Sequence, residues 1–77
     1  MINKVVLNNI EAEEYEKFII NKIPTLDPGK IYYFRDFFSP ERTASIRIAR
    51  KLFIDAENNS IKLRLAGKYA RDGYVVR

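Results

Sequence analysis

The chain contains no cysteine, no histidine and no tryptophan. Without cysteine it can form neither a disulfide framework nor a thiolate metal site. Without histidine it lacks the commonest general base and metal ligand, and with them both usual catalytic triads. Glycine and proline are scarce, three of each. Gly29, Gly67 and Gly73 do not form a phosphate-cradling spacing. No apolar run approaches the ~20 residues that a membrane-spanning helix needs. Met1-Ile2-Asn3-Lys4 leads only into the short stretch Val5-Val6-Leu7 and does not read as a signal peptide. No nucleophile stands beside a base. These absences predict one cytoplasmic domain over residues 1–77, not an enzyme, with no cofactor, metal or membrane partner.

What is present is apolar, aromatic and charged. Apolar residues make up 47% and charged residues 31%, too apolar a mixture for a disordered tail. Five Phe and five Tyr supply large core groups to a chain of 77 residues, which at this size buries somewhat over ~60% of its unfolded surface. The net charge is +4, unevenly spread. From Met1 to Gly29 three basic residues meet five acidic ones, a net −2, and from Lys30 to Arg77 eleven meet five, a net +6. A basic back half joined to an acidic front suggests a polyanion partner.

Along the chain, Lys4 to Leu7 reads as a short strand or a lead-in. Asn8 is a good N-cap, and with Glu11 three positions on it resembles a capping box. Tyr15, Phe18, Ile19 and Ile23 then recur on one face, which predicts a helix from about Ile10 to Lys22, stopped by Pro24. Pro28-Gly29 marks a turn. Lys30 to Phe34 reads as an aromatic strand, and Arg35 to Phe38 as a single helical turn capped by Asp36. Ser39-Pro40-Glu41 has the form of a helix start. From there Ser45, Ile48, Ala49, Leu52, Phe53 and Ala56 share one face of a helix running to about Glu57, with an interruption conceivable between Arg42 and Ser45. Asn58-Asn59 end it. Ser60 to Leu65 alternates as a half-buried strand, and Tyr74 to Arg77 is a last short strand. Between them, Asp72-Gly73 offers a two-residue hairpin turn, with a wider loop from Gly67 to Gly73 as the alternative. No internal repeat or low-complexity tract stands out.

This order of elements (helix, strand, short helix, helix, strand, loop, strand) resembles a winged helix-turn-helix domain. The expected fold is therefore α+β: two to three helices, a small antiparallel sheet and a C-terminal β-hairpin wing. The half from Phe34 to Arg77 also resembles a family of small bacterial proteins often linked to phages and plasmids. The matching residues are Phe34-Arg35-Asp36-Phe37-Phe38, Ile48-Ala49-Arg50-Lys51-Leu52-Phe53 and Gly73-Tyr74. Ala49 stands where that family tends to carry glycine. The winged-helix resemblance implies a third helix in the major groove and the hairpin loop as the wing.

The residues themselves give candidates for that role. Arg47, Arg50 and Lys51, with Thr43 one turn earlier, form a basic face opposite the apolar stripe. Such a face suits double-stranded DNA: arginines can fork onto guanine and others can neutralise phosphates. Ile54 on that face could touch a thymine methyl or a second copy. Ile20 and Ile54 lie off the core stripes of their helices and are the candidates for a homodimer contact. Arg64, Lys68, Tyr69 and Arg71, with Lys62, decorate the hairpin, where backbone contacts would position the protein without reading sequence. The same cations also protect sheet edges from aggregation. The run Tyr32-Tyr33-Phe34 with Phe37-Phe38 invites base stacking, yet a small core needs such residues, and alternation leaves Tyr33 outside it. Glu11, Glu13, Glu14 and Glu16 read as a solvated first turn rather than a metal site. The leading expectation is a DNA-binding regulator or accessory factor of a mobile element. A protein-interaction module that blocks a host protein, and an RNA-binding module, are the alternatives.

Overall fold

In the computed structural model, residues 5–39 and 45–77 are described. Helix α1, Asn9–Lys17, starts as the sequence implies. The Asn8 side chain accepts from the Glu11 amide at 2.8 Å, and Glu11 Oε1 accepts from the Asn8 amide at 3.0 Å. The helix then widens into a π-turn, Phe18–Lys22, and tightens into a 3₁₀ turn, Ile23–Thr25. Pro24 has no amide to give the Ile20 carbonyl, and its ring crowds that oxygen, so an α-helical ladder cannot continue through it. Residues 5–8 form no strand.

The expected strand from Lys30 to Phe34 is reduced to a single bridging residue. Tyr32 donates to the Tyr74 carbonyl at 2.8 Å and accepts from the Tyr74 amide at 2.6 Å. One residue later the chain turns into a short helix α2, Phe34–Phe37. The Asp36 carboxylate takes the Tyr33 amide at 2.8 Å, so that amide is lost to any sheet.

Helix α3, Ile46–Glu57, is capped by Ser45, whose Oγ accepts from the Ile48 amide. The expected start at Ser39-Pro40 lies largely outside the described residues, as does Thr43. Ser45 is therefore the N-cap of α3 and not part of its core face. At the far end Asn59 takes a left-handed φ of 64° and the Ser60 amide reaches back to the Asp55 carbonyl, closing the helix. Strands β1, Leu63–Leu65, and β2, Tyr74–Val76, pair antiparallel with Leu63 opposite Val76 and Leu65 opposite Tyr74. The connection is the wider loop and not a two-residue turn at Asp72-Gly73. It contains a 3₁₀ turn, Ala70–Asp72. Arg77 secures the joint between α3 and the hairpin, donating to the carbonyls of Ala56, Ile61 and Leu63.

The described residues thus form an α+β fold of three α-helices and a two-stranded antiparallel sheet. Its core has two sources. Ile48, Leu52 and Ala56 come from α3, with Leu63 and Ile61 beneath them. An aromatic group supplies the rest: Phe18 lies 4.7 Å from Phe37 and 5.0 Å from Phe38, and Phe37 in turn faces Tyr32 and Tyr74. Of the aromatic run, Phe38 is buried, Phe34 and Phe37 are half-buried against the core, and Tyr32 and Tyr33 are half-buried. Phe53 and Ile19, expected in the core, are only half-buried.

Leu52 is fully enclosed between helix and sheet. Leu52→Ala should cost ~2–5 kcal/mol, because so thin a core cannot collapse into the cavity. Thermal unfolding measures this, at roughly 4–8 °C per kcal/mol for a domain of this size. An unchanged Tm would contradict the packing described.

Candidate functional site

The basic face of α3 is not uniformly free. Arg47 is held in a two-pronged contact by Glu11 of α1, with Nε 2.9 and 3.0 Å from the two carboxylate oxygens and a second guanidinium nitrogen at 2.9 Å. Glu11 is thus no solvated first-turn acid: it is buried and serves both the α1 cap and the α3 arginine. The Arg47 guanidinium and the Asn8 amide together hold the Glu11 carboxyl down from the ordinary 4.5 to about 2. Lys51 is also engaged, 3.4 Å from Asp55, whose other oxygen accepts the Tyr15 hydroxyl at 2.6 Å. Burial, with the Asp55 carboxylate behind it, pushes the Tyr15 phenol up, so it stays a donor. Ile54 is half-buried. Of the candidates on α3, Arg50 alone is exposed with neither an ion pair nor a hydrogen bond among the described residues.

The hairpin candidates form no ion pair with an acid among the described residues. Arg64 is exposed and donates to the neighbouring Leu65 carbonyl at 3.3 Å. Tyr69 is 49% exposed and carries Arg71 over its ring at 4.8 Å and Lys68 at 5.8 Å.

Sequence reasoning missed a repeated tetrad, Tyr-x-Arg-Asp, at Tyr33-Phe34-Arg35-Asp36 and Tyr69-Ala70-Arg71-Asp72. Both copies fold alike. In each, the tyrosine is extended (φ −115°, ψ 161° and φ −121°, ψ 159°) and caps a single helical turn. In each, the aspartate takes the tyrosine amide at 2.8 Å and the arginine lies over the tyrosine ring, at 4.9 Å in the first copy. The signal was available as a tetrad whose aspartate stands three residues after the tyrosine, the spacing of a cap.

The Tyr32–Tyr74 bridge sets the two turns side by side, and Gly73 lies between them. Gly73 has φ +90°, and a Cβ there would stand 2.6 Å from Ile31 Cγ2 and 2.8 Å from the Tyr32 carbonyl oxygen. Where the turns meet is an open depression of about 390 Å³. Tyr33 and Arg35 line it from one turn, Ala70 and Arg71 from the other, with Ala49 of α3 and Tyr74 of β2 between. Burial raises the Tyr74 phenol to about 12, so it is neutral there.

Compared with protein-family models, curated proteins and solved structures, the chain finds no match. Any function must therefore be argued from the geometry. Among the described residues no helix is long and apolar enough to cross a membrane, and no group of acids could hold a metal ion.

Two outcomes follow. Glu11 is depressed in the folded state, so its contribution is complete above the ordinary 4.5 and fades as pH falls toward about 2. Glu11→Gln should remove that part of the acid limb while leaving the rest, in thermal melts taken across the same window. An acid limb identical in both proteins would show that the carboxylate does not join the helices. Gly73→Ala should destabilise by ~1–3 kcal/mol from the backbone conformation alone, and further by displacing Ile31 and the Tyr32 strand. Equal stability by urea unfolding would contradict the close approach of the two turns.

Proposed function

We propose that the domain binds double-stranded DNA in the manner of a small winged helix-turn-helix protein, with α3 toward the major groove and the 66–73 loop as the wing. Support for the arrangement comes from the order of elements and from the Tyr32 bridge, which adds a third, minimal strand beside β2. The single observation that carries the reading is how the cations divide. Arg47 and Lys51, on the α1 side, are paired with acids. Of the candidate residues, Arg50 on α3 and Arg64, Lys68 and Arg71 on the hairpin have no acidic partner among the described residues. Unpaired cations cost little to bring to phosphates, whereas drawing Arg47 to a base edge means breaking a two-pronged contact with a buried carboxylate. Arg50 is therefore the base or phosphate contact of the helix, and Arg47 and Lys51 orient the helix that carries it. Arg64, Lys68 and Arg71 are backbone contacts, with Tyr69 holding the two loop cations. The resemblance to mobile-element proteins favours a regulator or accessory factor as the biological role.

Fluorescence anisotropy on random-sequence duplex DNA across a salt series tests this. Each phosphate neutralised contributes ~0.9 to the slope of log affinity against log salt, so four cations predict a slope of about −3 to −4. Lys68→Ala should weaken every sequence about equally and flatten the slope by about one. Arg50→Ala should cost ~1–3 kcal/mol, and relax preference at one position where it reads a base. Absence of duplex binding at low salt would overturn the proposal.

A further inference from the structure

The twin Tyr-x-Arg-Asp turns do more than the duplex reading requires. Phosphates on the outside of a paired duplex would meet α3 and the wing tip. They would not enter a depression walled by rings and small side chains. We propose that this depression seats one unpaired nucleotide of a nucleic-acid strand, its base against Tyr33 and the apolar floor and its flanking phosphates on Arg35 and Arg71. The proposal rests on the nucleic-acid reading above and deepens it by naming the form of strand preferred.

Four observations point there. Two guanidiniums from distant parts of the chain border one depression. Each is laid over a tyrosine ring, at 4.9 Å for Arg35 and 4.8 Å for Arg71, which fixes its plane while its N–H edge stays available for a phosphate. The nearest acids, Asp36 and Asp72, are folded back onto the Tyr33 and Tyr69 amides, so the charge offered to a ligand is positive. Finally, Phe34, Ala49 and Ala70 complete an apolar lining between the cations, and the volume of about 390 Å³ lies within the range of ligand pockets. Rings beside cations suit a base between phosphates, since every base has a face that stacks. An acidic peptide would use the cations and leave the rings idle. The seat is preformed: the Tyr32–Tyr74 bridge and the close approach at Gly73 hold both turns before any ligand arrives.

Arg35 separates this site from the duplex surface, because contacts of α3 and the wing do not need it. The test is fluorescence anisotropy with three labelled probes: a paired duplex, the same duplex carrying a thymidine bulge, and an oligothymidylate strand. Thymidine monophosphate and oligoglutamate serve as competitors. The bulged duplex and the single strand should bind roughly tenfold more tightly than the paired duplex, the scale of one stacked base. Arg35→Ala, at an exposed position, should fold normally by circular dichroism and abolish that preference while sparing paired-duplex affinity. Arg50→Ala should lower duplex affinity and keep the preference for the bulge. A bulge bound no better than paired DNA, or a preference that survives Arg35→Ala, would overturn the seat and leave the duplex reading standing. Arg35-dependent binding of strand and bulge with none of paired duplex would do the reverse. Competition by oligoglutamate equal to that of oligothymidylate would overturn the choice of nucleic acid, and monophosphate competing as well as the strand would overturn the flanking-phosphate arrangement. Binding to none of the three probes would sink both readings.

Discussion

The contact between Glu11 and Arg47 organises the rest of the molecule. One carboxylate closes the first turn of α1 and, on its other side, receives a guanidinium from α3. An exposed ion pair on a surface contributes little. Here the Arg47 side chain is 58% exposed, but the acid is buried and already oriented by its own cap, so less freedom is lost when the arginine arrives. The Tyr15–Asp55–Lys51 chain repeats the arrangement two turns further along the same interface. Together these polar links fix which side of α3 faces α1. They thereby fix which side, with Ala49, faces the paired turns.

Local signals in the sequence were read well where they depend on neighbours. The Asn8–Glu11 cap, the interruption at Pro24, the buried stripe of Ile48, Leu52 and Ala56, and the ending at Asn58-Asn59 all follow from side chains a few residues apart. Where the structure departs from the local reading, a partner claims a group that looks free. Glu11 reads as a solvated acid, because nothing near it in sequence announces Arg47, and Arg47 reads as an open cation for the same reason. Lys51 is met by Asp55, four residues on. The strand from Lys30 to Phe34 failed because Asp36 captures the Tyr33 amide, a short-range competition that favourable strand composition concealed.

The candidate site was half legible. Lys68, Tyr69 and Arg71 stand out as a basic, aromatic loop, whereas Tyr33 reads only as the outward position of an aromatic strand and Arg35 only as the start of a helical turn. The tetrad is neither a run of like residues nor a hydrophobic period, so no compositional pattern marks it. Its two copies are set apart by nearly half the chain, and only the fold makes them neighbours. The composition of the tetrad explains why it works as a unit. Aspartate shapes the turn, tyrosine carries the arginine, and the variable position adapts to what lies beneath, a phenylalanine in one copy and an alanine in the other.

The Tyr32–Tyr74 bridge has a kinetic meaning as well. Helix α3 and the β1–β2 hairpin are built from contacts between near neighbours and can form early. The bridge instead closes a loop that contains α2, α3 and β1, so its formation bears a larger entropic cost of closure. Contacts of that kind form late in folding and open early in fluctuation. The Glu11–Arg47 and Tyr15–Asp55 contacts, 36 and 40 residues apart in sequence, close loops of similar size, so the α1–α3 interface and the paired turns belong to the same late stage. The amide protons of Tyr32 and Tyr74 report directly on the joint between the turns, and whatever occupies the space between them would slow their exchange with solvent.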